Sequence, residues 1–440
     1  MKKNTFHLLS LGCAKNLVDS NVLAQLLEAE GLTYTESAKQ AEYILINTCG
    51  FIHDAREESQ NAIEEFSANK KPKQKIIVTG CLAERWKDEL LKQHPGVDGL
   101  IGTRRLADIV PLVRQLGDEE KVTRYLDYPA LEYVPGASYT TVQGGSAYLK
   151  VADGCHRSCA FCAIPGIKGS LVSRPVDEII NDALFLQDVG VQEINLIAQD
   201  VTSYGADRGE KDGLANLIKE MLPQIPDVPW LRLLYTYPGM ITDSLIDLMA
   251  NSGKLLPYLD IPLQHANPEV LKSMRRPSDI DWVRRTIATM RERIPNLVVR
   301  TTFIVGFPTE TEEAFQDLYD FVEEMEFDHM GVFTYSPELG TFAESMGDPV
   351  PQEEKESRLE RLMALQSELA SAKKQGLIGK KLDVLVEGVD EEQEILIGRS
   401  YRDAPEIDGL VVATGLAQVG EMVTIEIENI GPYDMFGKMI

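Results

Sequence analysis

Cysteine is the residue to follow in this 440-residue chain, because it occurs only six times and falls into two sets of three. One set, Cys155, Cys159 and Cys162, lies in the segment GCHRSCAFCAI at Gly154–Ile164, with the spacing C-x₃-C-x₂-C. Three thiolates on one short loop suit three irons of a 4Fe–4S cube and leave the fourth iron open to another ligand. Phe161 stands between the last two cysteines, where it would shield one face of such a cluster. A structural zinc site is the competing chemistry. It usually wants four closed ligands in C-x₂-C pairs. No second pair follows, and His156, directly beside Cys155, could not easily reach round to complete a tetrahedron.

The second set is dispersed. Phe6–Leu11 runs into Cys13, Tyr43–Asn47 into Cys49 and Lys75–Thr79 into Cys81. Each apolar run reads as a buried strand, and helical patterns follow at Asn16–Ala29, Asp54–Ser67 and Arg85–Lys92. Strand–helix alternation implies a parallel α/β sheet, whose strand C-terminal ends share one edge where ligands bind. Cys13, Cys49 and Cys81 therefore converge on that edge. Gly12, Gly50 and Gly80 flank them and permit close backbone approach. One or two such cysteines would be ordinary buried thiols; three at equivalent positions point to a second cluster with one open iron.

These sites need scaffolds, and the length allows two or three domains. The hydrophobic fraction of 44% supports packed cores. No run is long enough to span a membrane. Met1–Gly12 carries two lysines and a short apolar stretch, but His7 and Ser10 break it and it is too short for a signal sequence. A cytoplasmic location is expected, where cysteines more often bind metal or react than pair. The net charge of −25, from 44 basic and 69 acidic residues, argues against a polyanion partner, since nucleic acids are held largely by Lys and Arg.

The triad at Cys155–Cys162, with an aromatic before its last cysteine, resembles the radical S-adenosylmethionine (SAM) enzymes. That resemblance implies that the open iron binds the amino and carboxylate groups of SAM, and that an electron from the cluster cleaves SAM to a 5′-deoxyadenosyl radical. The preceding segments LGCAKN (Leu11–Asn16), NTCGF (Asn47–Phe51) and TGC (Thr79–Cys81) are similar to those of the methylthiotransferases. This family attaches a methylthio group to an unactivated carbon. The resemblance covers nearly the whole chain and implies two 4Fe–4S clusters, SAM, a sulfur donor and an electron donor such as flavodoxin or ferredoxin.

Gly117–Gly145 has little periodicity and reads as a connection. Beyond it, strands near Ala147–Val151, Glu193–Ala198, Trp230–Tyr235, Tyr258–Ile261, Val298–Val305 and Asp328–Phe333 alternate with helices. The helices fit Val176–Val189, Gly213–Leu222, Thr242–Asn251, Asp279–Arg293 and Glu310–Met325. Six β/α units are too few for a closed eight-stranded barrel, and a partial barrel is what the radical SAM resemblance implies. The Cys155 loop follows the first strand at its C-terminal end, where barrel enzymes place their chemistry. Other strand ends carry Gln199 and Asp200, Tyr237, Gln264 and His265, and the turn Gly306–Pro308. Gln199 is the candidate SAM contact. His265 is either a substrate-facing group or a satisfied interior histidine. In Pro349–Gln375, the stripe Leu359, Leu362, Met363, Leu365 and Leu369 reads as core-facing.

After Gly376, short strands at Leu382–Glu387, Glu394–Ser400, Gly409–Ala413 and Met422–Ile427 suggest a small barrel of the oligonucleotide-binding shape. It resembles the TRAM domain that closes methylthiotransferase chains. The organisation expected is thus an N-terminal α/β domain over 5–116, a central radical SAM partial barrel over 137–374 and a TRAM-like β-barrel over 376–440.

Charge bears on the substrate. Leu377–Ile440 holds five basic and thirteen acidic residues, a balance of −8, and only Tyr401, Tyr433 and Phe436 as stacking aromatics. An RNA-binding barrel should present a basic groove; an acidic one steers a basic partner. The segment DAPEIDG (Asp403–Gly409) resembles the family branch that modifies small-subunit ribosomal protein S-twelve, at the β-carbon of an aspartate. Nucleic-acid binding would then be weak or absent. The readings set against this are the same chemistry on a transfer-RNA adenosine, a non-catalytic iron–sulfur electron carrier, and structural zinc in both triads.

Overall fold

Buried β-rich segments and amphipathic helices alternate along a computed structural model that describes residues 4–118, 123–125 and 130–440. The strand Tyr43–Thr48 is buried at every position, as a parallel strand covered on both faces must be. It lies between Thr5–Ser10 and Lys75–Gly80, paired parallel to both. Thr33–Tyr34, Gly99–Ile101 and Thr123–Tyr125 complete an all-parallel sheet of six strands. The expected helix over Arg85–Lys92 is two short ones, Cys81–Trp86 and Asp88–Gln93. Lys87 separates them with φ of +50°, a left-handed conformation that an α-helix cannot continue through.

The segment Gly117–Gly145 is more than a connection. Thr123–Tyr125 extends the first sheet, and Thr140–Gln143 forms a hairpin with Ser146–Lys150. Residues 119–122 and 126–129 of that segment lie outside the described residues.

The central sheet has the order His329–Thr334, Val298–Val305, Leu255–Asp260, Trp230–Leu233, Glu193–Ile197, Ser146–Lys150 and Thr140–Gln143. Its first six strands in that order are parallel, and the hairpin strand Thr140–Gln143 is an antiparallel edge. The ends do not meet, so this is the partial barrel expected. The helices Val176–Asp188, Gly213–Met221, Asp243–Asn251, Ile280–Arg293 and Glu312–Met325 pack apolar faces on it. The helix Gln352–Gln375 contributes Leu362 and Leu365 to the same core, flanked by Leu359, Met363 and Leu369, as its stripe implied.

The last residues close into a barrel of five strands, Lys381–Asp390, Ile395–Ser400, Val411–Thr414, Met435–Met439 and Met422–Ile430. The strand Met435–Met439 was not foreseen. It is short, and Gly437 interrupts its pattern. That glycine is needed, since a Cβ there would stand 2.2 Å from the Glu426 carbonyl oxygen on the neighbouring strand.

Ion pairs staple this barrel to the central sheet. Glu193, fully buried, binds Arg232 at 2.7 Å and Arg399 of the barrel at 2.6 Å. Asp408 accepts from Tyr258 at 2.6 Å and pairs with Arg300 at 3.2 Å. Arg402 reaches Asp328 at 2.9 Å. The segment Asp403–Gly409 is therefore a plug against the sheet.

Candidate functional site

The first triad forms where three parallel strands end. Cys13 is exposed and caps the helix Ala14–Ala29. Cys49 is buried just past its strand. Cys81 is buried and opens the helix after Gly80. Gly12 has φ of +84°, and a Cβ on it would stand 2.6 Å from the Cys49 Cβ and 2.8 Å from its Sγ. A Cβ on Gly50 would meet the Leu82 amide nitrogen at 2.7 Å and the Cys81 carbonyl carbon at 2.8 Å. The structure thus stacks Gly12 on Cys49 and Gly50 on Cys81, bringing the three cysteine loops together. Ser59 Oγ locks the middle loop, accepting from the Cys49 amide at 3.0 Å and donating to its carbonyl at 2.9 Å. Burial pushes the Cys49 thiol pKa up and that of Cys81 to about 12. Both are neutral thiols until a metal takes their protons.

The second triad sits on the loop after Ser146–Lys150. All three of its cysteines are half-buried. The Cys155 amide donates to the Gly169 carbonyl at 3.0 Å and the Cys162 amide to the Cys159 carbonyl at 3.1 Å. The Arg157 amide reaches the Cys155 Sγ at 3.4 Å, and the Arg276 guanidinium lies 3.8 Å from the Cys159 Sγ. The same two arginines lie against the Tyr237 ring, 4.1 and 4.2 Å from its centre. Burial lifts the Cys162 thiol to about 12. Phe161 packs, partly buried, against an apolar group that includes Ala160, Phe307 and Tyr335.

Gln199 lies beside this loop. Its amide donates at 2.5 Å to Asp153 Oδ1, which also accepts from the Gly154 amide at 3.0 Å, and its own Oε1 is buried with no partner. Asp200 accepts from Thr202 and Ser203 and pairs with Arg157 at 3.3 Å. His265 is fully buried with both ring nitrogens engaged, Nδ1 by the Asn267 amide at 2.9 Å and Nε2 near Glu310 at 3.3 Å. It is a satisfied interior histidine. Gly306 bonds Glu310 and packs on Lys355, so that turn is structural. Gln264 holds φ of +75° while bridging to the strand of Phe303.

The two triads share a wall. Cys81 packs with Ala163, which follows directly on Cys162, and with Ile167 of the short helix Ile164–Lys168. Arg104 fastens the contact, donating to the carbonyls of Gly166 at 2.7 Å and Ile167 at 2.9 Å. Beneath it, Asp19, on the helix that Cys13 opens, and Asp153, just before Cys155, share two buried lysines. Lys168 lies 2.7 Å from Asp19 and 3.3 Å from Asp153; Lys150 lies 2.9 Å from Asp153 and also bonds Asp19. Lys15, from the same helix, lays its ammonium 3.2 Å over the Tyr235 ring. Burial works against its charge, but Tyr235, Cys13, Asp153 and Asp260 outweigh burial and raise its pKa. Sequence reasoning missed Asp19, Lys150, Asp153, Lys168 and Lys15.

Among the described residues, no three His, Cys, Asp or Glu side chains close on a point that would hold a single metal ion. The donor set, two triads of thiols with glycines pressed against one of them, has the chemistry of iron–sulfur ligation.

Comparison with known proteins agrees with this geometry. Residues 149–322 match the Radical SAM superfamily, residues 5–102 the Uncharacterized protein family UPF0004, and residues 378–440 the TRAM domain. The fold resembles that of TsrM from Kitasatospora setae, a radical S-adenosylmethionine methyltransferase solved with cobalamin and a [4Fe-4S] cluster. The TM-score is 0.56 at 14% identity, over 76% of this chain and 75% of that one. OxsB, a cobalamin-dependent S-adenosylmethionine radical enzyme, gives 0.51 at 11% identity, over 84% of this chain and 61% of that one. Fold and site define a radical SAM enzyme. Two relatives named "Ribosomal protein uS12 methylthiotransferase RimO" are far closer in sequence. That of Aquifex aeolicus is 44% identical over 98% of this chain and 96% of its own length; that of Acetivibrio thermocellus is 42% identical over 100% and 99%. The chain belongs to the RimO family and is a methylthiotransferase. Among the described residues, no helix is long and apolar enough to cross a membrane.

Proposed function

We propose that this chain methylthiolates the β-carbon of an aspartate in ribosomal protein uS12, in the cytoplasm, using two SAM, two 4Fe–4S clusters, a sulfur donor and a reductant of the flavodoxin or ferredoxin kind. The observation that carries the reading is the shared wall, where Cys81 of one triad packs on Ala163 and Ile167 beside Cys162 of the other. Hydrogen abstraction and sulfur delivery must act on one carbon, so their two sites must adjoin. When bound, the clusters and SAM supply one-electron cleavage, a carbon-centred radical and a carrier for the sulfur.

The chain's residues supply the rest. Cys155, Cys159 and Cys162 hold the cluster that cleaves SAM, and Cys13, Cys49 and Cys81 hold the auxiliary one. Gln199, fixed through its amide by Asp153, would contact SAM through its unpartnered carbonyl oxygen. Arg157 and Arg276 fix Tyr237 and lend positive charge to the Cys155–Cys162 loop. The lysine–aspartate network holds the two cysteine loops in one register. An unreactive C–H bond offers no proton to a general base, which is why radical chemistry suits the task.

The barrel supports a basic protein substrate over RNA. Asp403 and Asp408 are turned inward, but so are Arg399 and Arg402. The exposed cations that remain are Lys380, Lys381 and Lys438. The test is anaerobic reconstitution with iron and sulfide, then dithionite and SAM, with uS12 and a transfer RNA in parallel. Mass spectrometry should find the methylthio adduct on an aspartate of the protein. An adduct only on RNA would overturn the substrate assignment.

A further inference from the structure

We propose that Lys15 binds the carboxylate of the aspartate being modified; this deepens the function proposed above and rests on it. Four lysines are buried among the described residues, and each has an oxygen partner. Lys150 and Lys168 pair with Asp19 and Asp153. Lys355 bonds the Tyr335 carbonyl at 2.8 Å and Asp348 at 2.5 Å, and Lys374 bonds the Tyr433 carbonyl at 2.5 Å. That is the rule for buried ammonium groups, because an unpaired one loses its hydration without return. Half-buried Lys15 has no such oxygen partner. Among the described residues its ammonium has only the Tyr235 face, 3.2 Å from the ring centre. A ring face attracts a cation but accepts none of its three N–H bonds in the way an oxygen does.

Nearby carboxylates are already engaged. Asp153 takes Lys150, Lys168, Gln199 and the Gly154 amide. Asp260 takes Arg300 at 3.1 Å and the Tyr235 amide at 3.0 Å. Lys15 is half-buried, not sealed. It stands two residues from Cys13 on one side and against Tyr235, at the C-terminal end of a central strand, on the other. Tyr235 is held there with φ of +64°, a strained conformation for a tyrosine. Strain of this kind persists where the surroundings impose it, and functional sites are where it collects. The position suits an anion entering between the auxiliary triad and the mouth of the partial barrel. Of the anions the reaction brings together, the target carboxylate is the one whose neighbouring carbon must lie in that gap, because that carbon receives the sulfur. A charge-assisted pair with Lys15 would fix that carbon between the two sites.

The test has two stages with the full-length chain. Mass spectrometry first locates the modified aspartate of uS12; an adduct on RNA alone sinks the function and the carboxylate site together. The purified target and its Asp→Asn variant at that position are then titrated against the chain by fluorescence anisotropy, without reductant. The wild-type chain should bind the aspartate form about tenfold or more tighter, as a hydrogen bond to a charged group gives. Lys15→Met, which keeps the stem over Tyr235, should bind both forms equally, and Lys15→Arg should keep the preference. If Lys15→Met keeps it, or the wild-type chain shows none, the carboxylate site is wrong while the function stands. The wild-type comparison needs no enzyme variant, so a folding defect cannot mask the answer.

Discussion

Asn16 and Asn47 hold each other's backbone. The Asn16 side-chain amide donates to the Asn47 carbonyl at 3.1 Å, and the Asn47 amide donates to the Asn16 carbonyl at 2.9 Å. Asn47 also donates to Ser20 at 2.8 Å, and Asn16 to the Leu11 carbonyl at 2.7 Å. This reciprocal pair ties the turn at Cys13 to the strand that ends at Cys49. Asn47→Ala should leave buried acceptors unsatisfied and cost about 1–3 kcal/mol of stability. Iron bound by the N-terminal triad should fall further than urea resistance does. Full iron content in the variant would show that the pair does not align the site.

The two triads should separate by mutation. Cys159→Ala should abolish reductive SAM cleavage and keep the iron of the other triad. Cys49→Ala should keep SAM cleavage and stop methylthio transfer. Iron analysis with product assays checks both, and SAM cleavage by the Cys159 variant would refute the assignment of that loop.

Gly50→Ala places a methyl group 2.7 Å from the Leu82 nitrogen, against backbone and not a flexible side chain. The Cys49 and Cys81 loops must part. We expect loss of auxiliary iron in Gly50→Ala, whereas Gly388→Ala, with open space around it and no positive φ, should keep it. Equal iron in both would remove the steric argument.

Glu193 carries a pH dependence. Burial alone would raise its pKa, but Arg232 and Arg399 overcome burial and hold it at about 2, against an ordinary value of 4.5. Its contribution to stability is complete above pH 4.5 and is lost as the pH falls toward 2. Glu193→Gln should cost about 3–5 kcal/mol at neutral pH, because buried Arg232 loses its counter-charge and Arg399 is left with Glu387 alone. Urea unfolding as a function of pH should show a wild-type acid transition that the variant lacks; matching acid profiles would contradict the pairing.

The sequence announced what is periodic or local. Strands running into Cys13, Cys49 and Cys81, the leucine stripe of Gln352–Gln375 and the spacing of Cys155, Cys159 and Cys162 each leave a mark within a few residues. Contacts that join distant segments do not. Lys150 and Asp19 are 131 residues apart, and Arg399 and Glu193 are 206 apart. Nothing near Asp403–Gly409 says that it plugs into the central sheet, so its acids read as surface charge. Nothing around Lys15 marks it either, because the Tyr235 ring that it covers belongs to the central domain.

The clasp of Glu193 on Arg399, with Asp408 on Arg300 and Tyr258, makes a caliper of the molecule. A barrel on a loose tether could search for its target and deliver it by swinging. One pinned by buried charges keeps a set distance from its outer surface to the mouth of the cleft. A substrate that touches both must carry its reactive residue on a protrusion of matching reach, so length joins chemistry in deciding which residue is chosen.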